Sequence, residues 1–363
     1  MSSNYSFEWT KADEALMEWD LFLLNNPRGH SQQISHYLKS YTKYPFFNYE
    51  VLIVRNKEGQ IVAGIGTFIV GIPFLKVQVA PIAPIISKEV EFLFDDIISE
   101  YINRSKKNKT FYCELKAPIL KEYSVTYSQF ALNEIGNNSL YYSGKKGSQF
   151  GLIRGTNGFR SVQIQYESEH TPYELLWKEY NKNTKRNIKK AESSNLVLQF
   201  AQTESDIKSA YEVVEEIAKY KGFPVRSWSK MKDFLIGMVN DGLCIVPYCK
   251  IDKKVQGALI IFVVGQRLTY AYGGILRQHN EFKIGHFLHN EMLKYSIKQG
   301  YNCYDFVVGT SPSVARFKEG FGAKHIAFED SRYWVNNKFI FSFWKVFKWT
   351  LDKMNVITWT SSK

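Results

Sequence analysis

The sequence of 363 residues contains few cysteines, and none of them forms a Cys-x-x-Cys pair. The four are Cys113, Cys244, Cys249 and Cys303. Cys244 and Cys249 are five residues apart in what the pattern predicts as one strand. Side chains alternate between the two faces of a strand, so these two cannot share a metal without a β-bulge. This excludes a zinc site built from cysteines and favours buried, reduced thiols.

Segments that would direct the chain into a membrane are also missing. The first ten residues, MSSNYSFEWT, are not an apolar signal segment. No run of about 18 apolar residues occurs, so a membrane-spanning helix is not expected. We therefore predict a cytoplasmic protein.

The histidines are too isolated to indicate a metal site. His279, His286 and His289 are close in the sequence, but no cysteine, aspartate or glutamate constellation completes a zinc site with them. We expect no metal and no bound cofactor.

Acidic residues are outnumbered by basic ones, 35 against 47, which gives a formal net charge of +12. Such a balance favours an anionic partner: nucleic acid, a nucleotide phosphate or an anionic membrane surface. A lysine-rich surface that serves only solubility is the alternative.

The pattern of strands and helices predicts an α/β (α+β) fold of two similar domains. Each is expected to hold a mixed, mostly antiparallel sheet flanked by helices. In the second half a long helix is predicted from Tyr173 to about Asn195, and a helix from Gly285 to Gln299. The predicted domains are residues 1–165 and 166–338, followed by a tail, 339–363, that packs back on the body.

The predicted tail contains a basic amphipathic helix, KFIFSFWKVFKWTLDKM. Its predicted apolar face consists of Ile340, Phe343, Trp344, Phe347 and Leu351. Such a helix can contact a membrane peripherally, although packing on its own domain is the more frequent role.

A one-signed basic stripe lies along the predicted helix after Tyr173. Positions i, i+4, i+7 and i+11 fall on one helical face. Arg186 and Lys190 flank this stripe, which consists of Lys178, Lys182, Lys185 and Lys189. The stripe indicates a phosphate-binding surface, with a solvated helix face as the alternative.

Two further segments suggest a site. In LTYAYGG, Tyr270 and Tyr272 are expected on one face of a strand, and Gly273 and Gly274 allow a base or sugar to approach the backbone. The alternative is a strand whose tyrosines only pack on a helix. In YDFVVGT, Asp305 is either a general base or a structural acceptor of hydrogen bonds.

The segment ARFKEGFGAK, residues 315–324, places Lys318 beside Phe317 and just before Gly-Phe-Gly. One interpretation is a surface turn with a solvated lysine. The other is a cation held at a fixed place in a cleft.

Four segments occur in an order that is similar to a known family: TKRNIKKA (184–191), TYAYGG (269–274), GYNCYDFVVG (300–309) and RFKEGFGA (316–323). The chain resembles the FemABX family of tRNA-dependent peptidyltransferases, which build peptidoglycan cross-bridges. The resemblance implies two GNAT-like domains and an aminoacyl-tRNA donor.

The resemblance also implies roles for individual residues. Lys318 is expected to assist acyl transfer, with Phe317 holding its stem and Asp305 as a weaker candidate base. Tyr272 is expected to contact substrate. Lys185, Arg186 and Lys189 are expected to bind phosphates, either of a nucleotide- or lipid-linked acceptor or of the tRNA.

One segment departs from coenzyme-A-dependent relatives. NEFKIG (280–285) stands where those enzymes bind pyrophosphate with glycine amides, and Lys283 replaces the first glycine. This favours a donor other than acyl-CoA.

Two other functions remain open. One is an N-acyltransferase that uses acyl-CoA on an amino sugar of a surface polysaccharide, and the other is a non-catalytic RNA- or membrane-binding protein.

Overall fold

The computed structural model describes residues 4–116, 140–142, 158–222, 225–307, 312–327 and 332–353. The chain forms two compact units, with one boundary between Asn157 and Gly158 and the other between Ile326 and Ala327. Unit 1 contains the described residues before the first boundary and after the second. Unit 2 contains those between the two boundaries.

The described strands are numbered along the chain. They are β1 (Ser6–Thr10), β2 (Phe47–Arg55), β3 (Ile61–Val70), β4 (Lys76–Ala80), β5 (Ile85–Ile86), β6 (Thr110–Leu115), β7 (Leu140–Tyr142), β8 (Gly158–Gln163), β9 (Gln199–Phe200), β10 (Cys244–Ile245), β11 (Pro247–Ile251), β12 (Lys254–Val264), β13 (Arg267–Ile275), β14 (Cys303–Val307), β15 (Lys324–Ala327) and β16 (Arg332–Val335).

The described helices are numbered in the same way. They are α1 (Asp13–Asn25), α2 (Ser35–Tyr41), α3 (Phe94–Lys107), α4 (Pro172–Glu179), α5 (Lys182–Glu192), α6 (Glu204–Lys221), α7 (Trp228–Asn240), α8 (Ile284–Lys298), α9 (Pro312–Glu319) and α10 (Lys338–Lys353). None of these helices is long and apolar enough to cross a membrane, in the part of the chain that is described.

Each unit is built on one mixed sheet. In unit 1 the strand order is β1-β2-β3-β4-β6-β16-β7, with β5 beside β3. In unit 2 it is β15-β8-β14-β13-β12-β11-β9, with β10 beside β12. Each sheet contains a parallel pair, β4 with β6 and β13 with β14, and helices α3 and α8 lie in the respective crossovers. The predicted α/β fold of two similar, mostly antiparallel units is confirmed.

The limits of the units differ from the predicted domains 1–165 and 166–338. β8 precedes residue 165 but pairs with β14 in unit 2. β16 precedes residue 338 but pairs with β6 in unit 1, where Trp334 is fully buried in the core. Pairing between strands that are distant in the sequence overrides proximity along the chain, and local patterns do not show it.

The single long helix predicted from Tyr173 is wrong. It is two helices, because Tyr180 is extended and Asn181 caps α5, its side chain accepting a hydrogen bond from the Thr184 amide. Asparagine favours such capping over continuing a helix. The basic stripe is therefore interrupted, with Lys178 on α4 and the other lysines on α5.

Other local predictions hold. β12 is buried along nearly its whole length and lies inside the sheet, as its continuous apolar run predicts. The four cysteines are buried free thiols. Burial raises the pKa of Cys113 and Cys249 to about 12, which makes these thiols poor nucleophiles.

Candidate active site

The Gly-Phe-Gly segment after Lys318 is a turn that fixes the end of α9 against the start of α5. Phe321 is fully buried and packs edge-on against Tyr180 at 5.4 Å between ring centres. The Gly320 carbonyl accepts a hydrogen bond from the Asn181 amide at 3.0 Å. A β-carbon on Gly320 would come within 2.4 Å of the Thr184 hydroxyl oxygen, so this contact requires glycine.

Lys318 is buried, with 5% of its surface exposed. Its ammonium lies 5.6 Å from the ring centre of Tyr270 and 5.9 Å from that of Phe306, where the π faces attract a cation. Burial, and next the positive charge of Arg160, lower the pKa of Lys318 to about 8. Of the two interpretations of this segment, the solvated surface lysine is thus wrong.

Lys318 lies at the place where the pairing between β13 and β14 ends. β14 pairs in parallel with the first half of β13, and Tyr270 opposite Phe306 is the last of these pairs. β14 ends at Val307, whereas β13 continues to Ile275 alongside β12. The ammonium therefore lies beside the last described pair, at the fork where β13 continues along β12 beyond the described part of β14.

Tyr272 is not on the same face as Tyr270, which corrects the sequence prediction. Ile260 is opposite Tyr272 and Ile261 is opposite Tyr270, so Ala271 is the extra residue of a β-bulge. The bulge turns Tyr272 towards Phe262, with ring centres 6.4 Å apart. Tyr270 alone of the two lies beside Lys318.

Two histidines of α8 complete the surroundings of Lys318. His289 is buried and shares a hydrogen bond of 2.8 Å with the Tyr304 hydroxyl through Nδ1. Burial, and then the charge of Lys318, hold the pKa of His289 well below its usual range. His286 packs edge-on against Phe317 at 4.9 Å, and burial lowers its pKa to about 4. Both imidazoles are neutral at pH 7, so the positive charges next to them are those of Lys318 beside His289 and Lys283 beside His286.

Asp305 is fully buried and forms an ion pair with Arg267. An Nη1 atom of Arg267 donates to Oδ2 of Asp305 at 3.0 Å, and Arg267 is 3% exposed. Of the two roles considered for Asp305, this arrangement favours the structural one, because the carboxylate is fully buried and its Oδ2 already accepts a hydrogen bond from the guanidinium.

The basic residues of α5 lie apart from the Lys318 surroundings. Asn187 of α5 faces inward and donates to Nε2 of His286 at 3.2 Å, whereas Arg186 and Lys189 are exposed. An Nη atom of Arg186 donates to the Asn183 side-chain oxygen at 2.7 Å. Nζ of Lys185 donates to the Lys178 carbonyl at 3.3 Å, which brings α4 and α5 together.

Lys189 lines a groove of about 500 Å³ in unit 2. Its other lining residues are His170, Tyr173, Glu174, Trp177, Lys178, Glu192 and Lys294. Lys318, Phe317 and Arg186 are not among them. The structure thus brings Phe317 and Lys318 together, and separately places Lys189 beside two aromatic rings.

Lys283 adopts the left-handed conformation, with φ of +54°, at the start of α8. This conformation favours glycine, the residue that pyrophosphate-binding loops place there. The turn therefore keeps a glycine-like backbone while it carries a cationic side chain.

Sequence reasoning missed most of the partners of the site residues. Tyr304 and Phe306 flank Asp305 in the same strand but were not assigned to the site, and His289 was considered only as a metal ligand. Its spacing of three from His286 on one helix was the available signal, because it puts both rings on one face. No local signal connects Arg160 with Lys318.

The fold is the one found in acyltransferases of the GNAT type. Residues 178–319 match the family described as an acetyltransferase (GNAT) domain, so the prediction of an acyltransferase is confirmed. No curated protein sequence matches the chain.

Solved structures extend the likeness to both units. The crystal structure of FemX has a TM-score of 0.73 at 11% identity, with 93% of this chain and 100% of that chain covered. The C-terminal domain of a putative lysylphosphatidylglycerol synthetase from Agrobacterium fabrum has a TM-score of 0.53 at 10% identity, with 93% and 96% covered. A conserved protein of unknown function from Bacteroides thetaiotaomicron has a TM-score of 0.57 at 6% identity, with 91% and 100% covered. The predicted FemABX-like, tandem GNAT fold is confirmed.

Proposed function

We propose that the protein transfers an aminoacyl group from aminoacyl-tRNA to an amine of a nucleotide- or lipid-linked peptidoglycan precursor. The observation that carries this proposal is the buried ammonium of Lys318 at the fork between β13 and β14. The FemX-like fold and the ordered segments that resemble the FemABX family support it. A relative in fold named as a lysylphosphatidylglycerol synthetase is consistent with aminoacyl chemistry.

In this reaction the acceptor amine is itself the nucleophile, so the enzyme mainly has to stabilise the oxyanion that forms, which a cation can do. The acceptor amine attacks the ester carbonyl carbon of the donor, a C–N bond forms, and the carbonyl electrons move to oxygen. The ester C–O bond then breaks, the ribose oxygen leaves with a proton, and the amine releases its proton to substrate or water. The Lys318 ammonium stabilises the oxyanion between the two steps.

The environment of Lys318 suits this role. A pKa of about 8 leaves the side chain mostly protonated at pH 7. Aromatic walls exclude water, so the charge acts on the oxyanion with less screening than at the surface. Phe317 lies against His286 and fixes the direction of α9 beside the reacting centre.

We propose that three basic residues of α5, Lys185, Arg186 and Lys189, bind phosphates of the donor or acceptor, and Lys189 lines the groove. The guanidinium of Arg186 suits phosphate geometry.

We expect Arg186→Ala to weaken acceptor or tRNA binding and to reduce the slope of log affinity against log salt by about one. Titrations at several salt concentrations measure both. Lys298→Ala, at an exposed site on α8, is the control; equal slopes for the two variants would remove Arg186 from the phosphate site.

A second candidate is an N-acyltransferase that uses acyl-CoA on an amino sugar of a surface polysaccharide. The match to an acetyltransferase (GNAT) domain favours it, and so does the glycine-like backbone of Lys283 at the start of α8. The side chain of Lys283 would crowd the phosphates of acyl-CoA, which argues against this candidate. Its positive charge does not argue against it, because a lysine attracts phosphate.

One donor experiment separates the candidates. The protein is incubated with radiolabelled aminoacyl-tRNA and a nucleotide-linked muropeptide, with and without ribonuclease, and in parallel with acetyl-CoA, an amino-sugar acceptor and a thiol reagent. We expect labelled muropeptide that ribonuclease abolishes, and no thiol release. Thiol release that depends on Lys318, without transfer from tRNA, would establish the second candidate instead.

A further inference from the structure

We propose that unit 1 docks on an anionic membrane surface through a patch that we call the aromatic–lysine face. The patch comprises Phe46, Ile72, Phe74, Leu75, Phe339, Phe343, Val346 and Phe347, with Lys106, Lys109 and Lys338. This proposal is independent of the donor and of the acceptor.

Helix α10 carries two apolar faces, and only one is packed. Phe341 is 2% exposed and lies edge-on to Tyr112, and Trp344 packs on Phe111. Phe343 and Phe347, predicted in the packed face, are instead exposed at 63% and 55%. They lie with Phe339 and Val346 at helical positions i, i+4, i+7 and i+8, which form one stripe. The helix is therefore anchored by one face while a second stripe faces solvent.

Two turns of unit 1 add to this stripe. The Gly71 amide donates to the Phe46 carbonyl at 3.0 Å, which joins the turn before β2 to the turn between β3 and β4. Phe46 is 60% exposed and Phe74 is 84% exposed. Ile72 and Leu75 are exposed as well.

The turn between β3 and β4 and the start of α10 border one groove, so this turn and the helix are neighbours in unit 1. The groove holds about 290 Å³. Phe74 and Ile340 both line it, together with Lys106, Lys109, Thr110, Phe111, Asn336 and Asn337. Lys106 and Lys109 are exposed at its rim.

Three segments that carry the patch have positive charge only. The sequence contains no acidic residue from 70 to 76, from 103 to 111 or from 338 to 351. Lys106, Lys109 and Lys338, which lie in these segments, are exposed. Scattered surface phenylalanines are ordinary, but the rings of Phe339 and Phe343 contact each other at 4.9 Å between centres, and a contiguous apolar surface marks an interaction site.

Phenylalanine and lysine in one face fit an anionic bilayer. The rings enter the boundary between headgroups and acyl chains, and the lysines attract the negative headgroups. Helix α10 would then lie along the surface rather than cross it. The whole chain has a net charge of +12, which adds long-range attraction to the same surface.

The test is flotation of the full chain with vesicles of phosphatidylcholine, with and without phosphatidylglycerol, at low and high salt. We expect binding only to the vesicles that contain phosphatidylglycerol, and weaker binding at high salt. The double variant Phe339→Ser/Phe343→Ser should weaken the partition coefficient by about tenfold or more. Lys106→Glu/Lys109→Glu should weaken it by a similar factor.

Matched controls exclude general effects. Met17→Ser/Leu21→Ser removes two exposed apolar residues at the same spacing on α1 and should bind like the wild type. Lys253→Glu/Lys254→Glu makes the same charge change in unit 2. A separate variant of the turn, Phe74→Ser/Leu75→Ser, tests the patch without altering α10. Circular dichroism checks the fold of each variant.

Vesicle binding needs no substrate, so its outcome does not depend on the proposed reaction. Transfer to a water-soluble nucleotide-linked acceptor should be unchanged in the patch variants. Absence of binding to phosphatidylglycerol vesicles, or equal losses in patch and control variants, would overturn the proposal. Association of the wild-type chain with a protein partner through this face, without vesicle binding, would overturn it too.

Discussion

Replacing Lys318 with methionine is expected to reduce acyl transfer by about a hundredfold or more while making the folded protein more stable. Methionine fills a similar volume but cannot neutralise the oxyanion, and loss of one such donor costs about 3 kcal/mol of transition-state stabilisation. Single-turnover rates measure the loss at the chemical step. Donor and acceptor affinities should change little.

The gain in stability follows from the lowered pKa of Lys318. The folded protein binds this proton less tightly than the unfolded chain, so the charged lysine destabilises the fold at pH 7. A pKa of about 8 in place of 10.5 corresponds to about 3 kcal/mol at most. The stabilisation in Lys318→Met should be full below about pH 8, shrink as the pH rises towards 10.5 and vanish above it. Urea unfolding across this pH range measures it.

Two control variants test whether the effects of Lys318→Met come from the loss of the positive charge at residue 318. Lys318→Arg keeps a cation and should retain more activity than Lys318→Met. Lys324→Met, at an exposed position just after the Gly-Phe-Gly turn, should change neither activity nor stability. A fully active Lys318→Met protein would refute the proposed reaction, whatever its stability.

Breaking the ion pair between Arg267 and Asp305 is expected to have the second large effect. Asp305→Ala leaves the Arg267 charge buried without its carboxylate, and such a change typically costs about 3–5 kcal/mol. We expect the free energy of unfolding to fall by this amount, measured by urea titration at pH 7.

The double variant Arg267→Met/Asp305→Leu decides whether Asp305 acts chemically. It removes both charges and fills the space with apolar side chains, so stability should recover to near that of the wild type. If Asp305 is structural, activity should recover with it. A stable but inactive double variant would show that the carboxylate takes part in the reaction.

The sequence was sufficient where local chemistry decides the structure. The buried run of β12 depends on side chains close in the chain. Tyr270 and Tyr272 could not be assigned correctly, because one extra residue in β13 reverses a face and leaves no mark in the alternation pattern. The surroundings of Lys318 come from β13, β14 and α8, whose meeting is fixed by strand pairing over long separations.

The strand exchange at the unit boundaries has a consequence for how the chain matures on the ribosome. The described residues of unit 2 lie in one stretch, Gly158–Ile326, so its sheet can form once β15, which ends at Ala327, has emerged. The sheet of unit 1 lacks β16 until Val335 has been synthesised. Until then, the edge of β6 that pairs with β16 has no such partner. The first half of the polypeptide is thus the last to be finished, and a nascent chain stalled before β16 exposes an edge prone to wrong pairing.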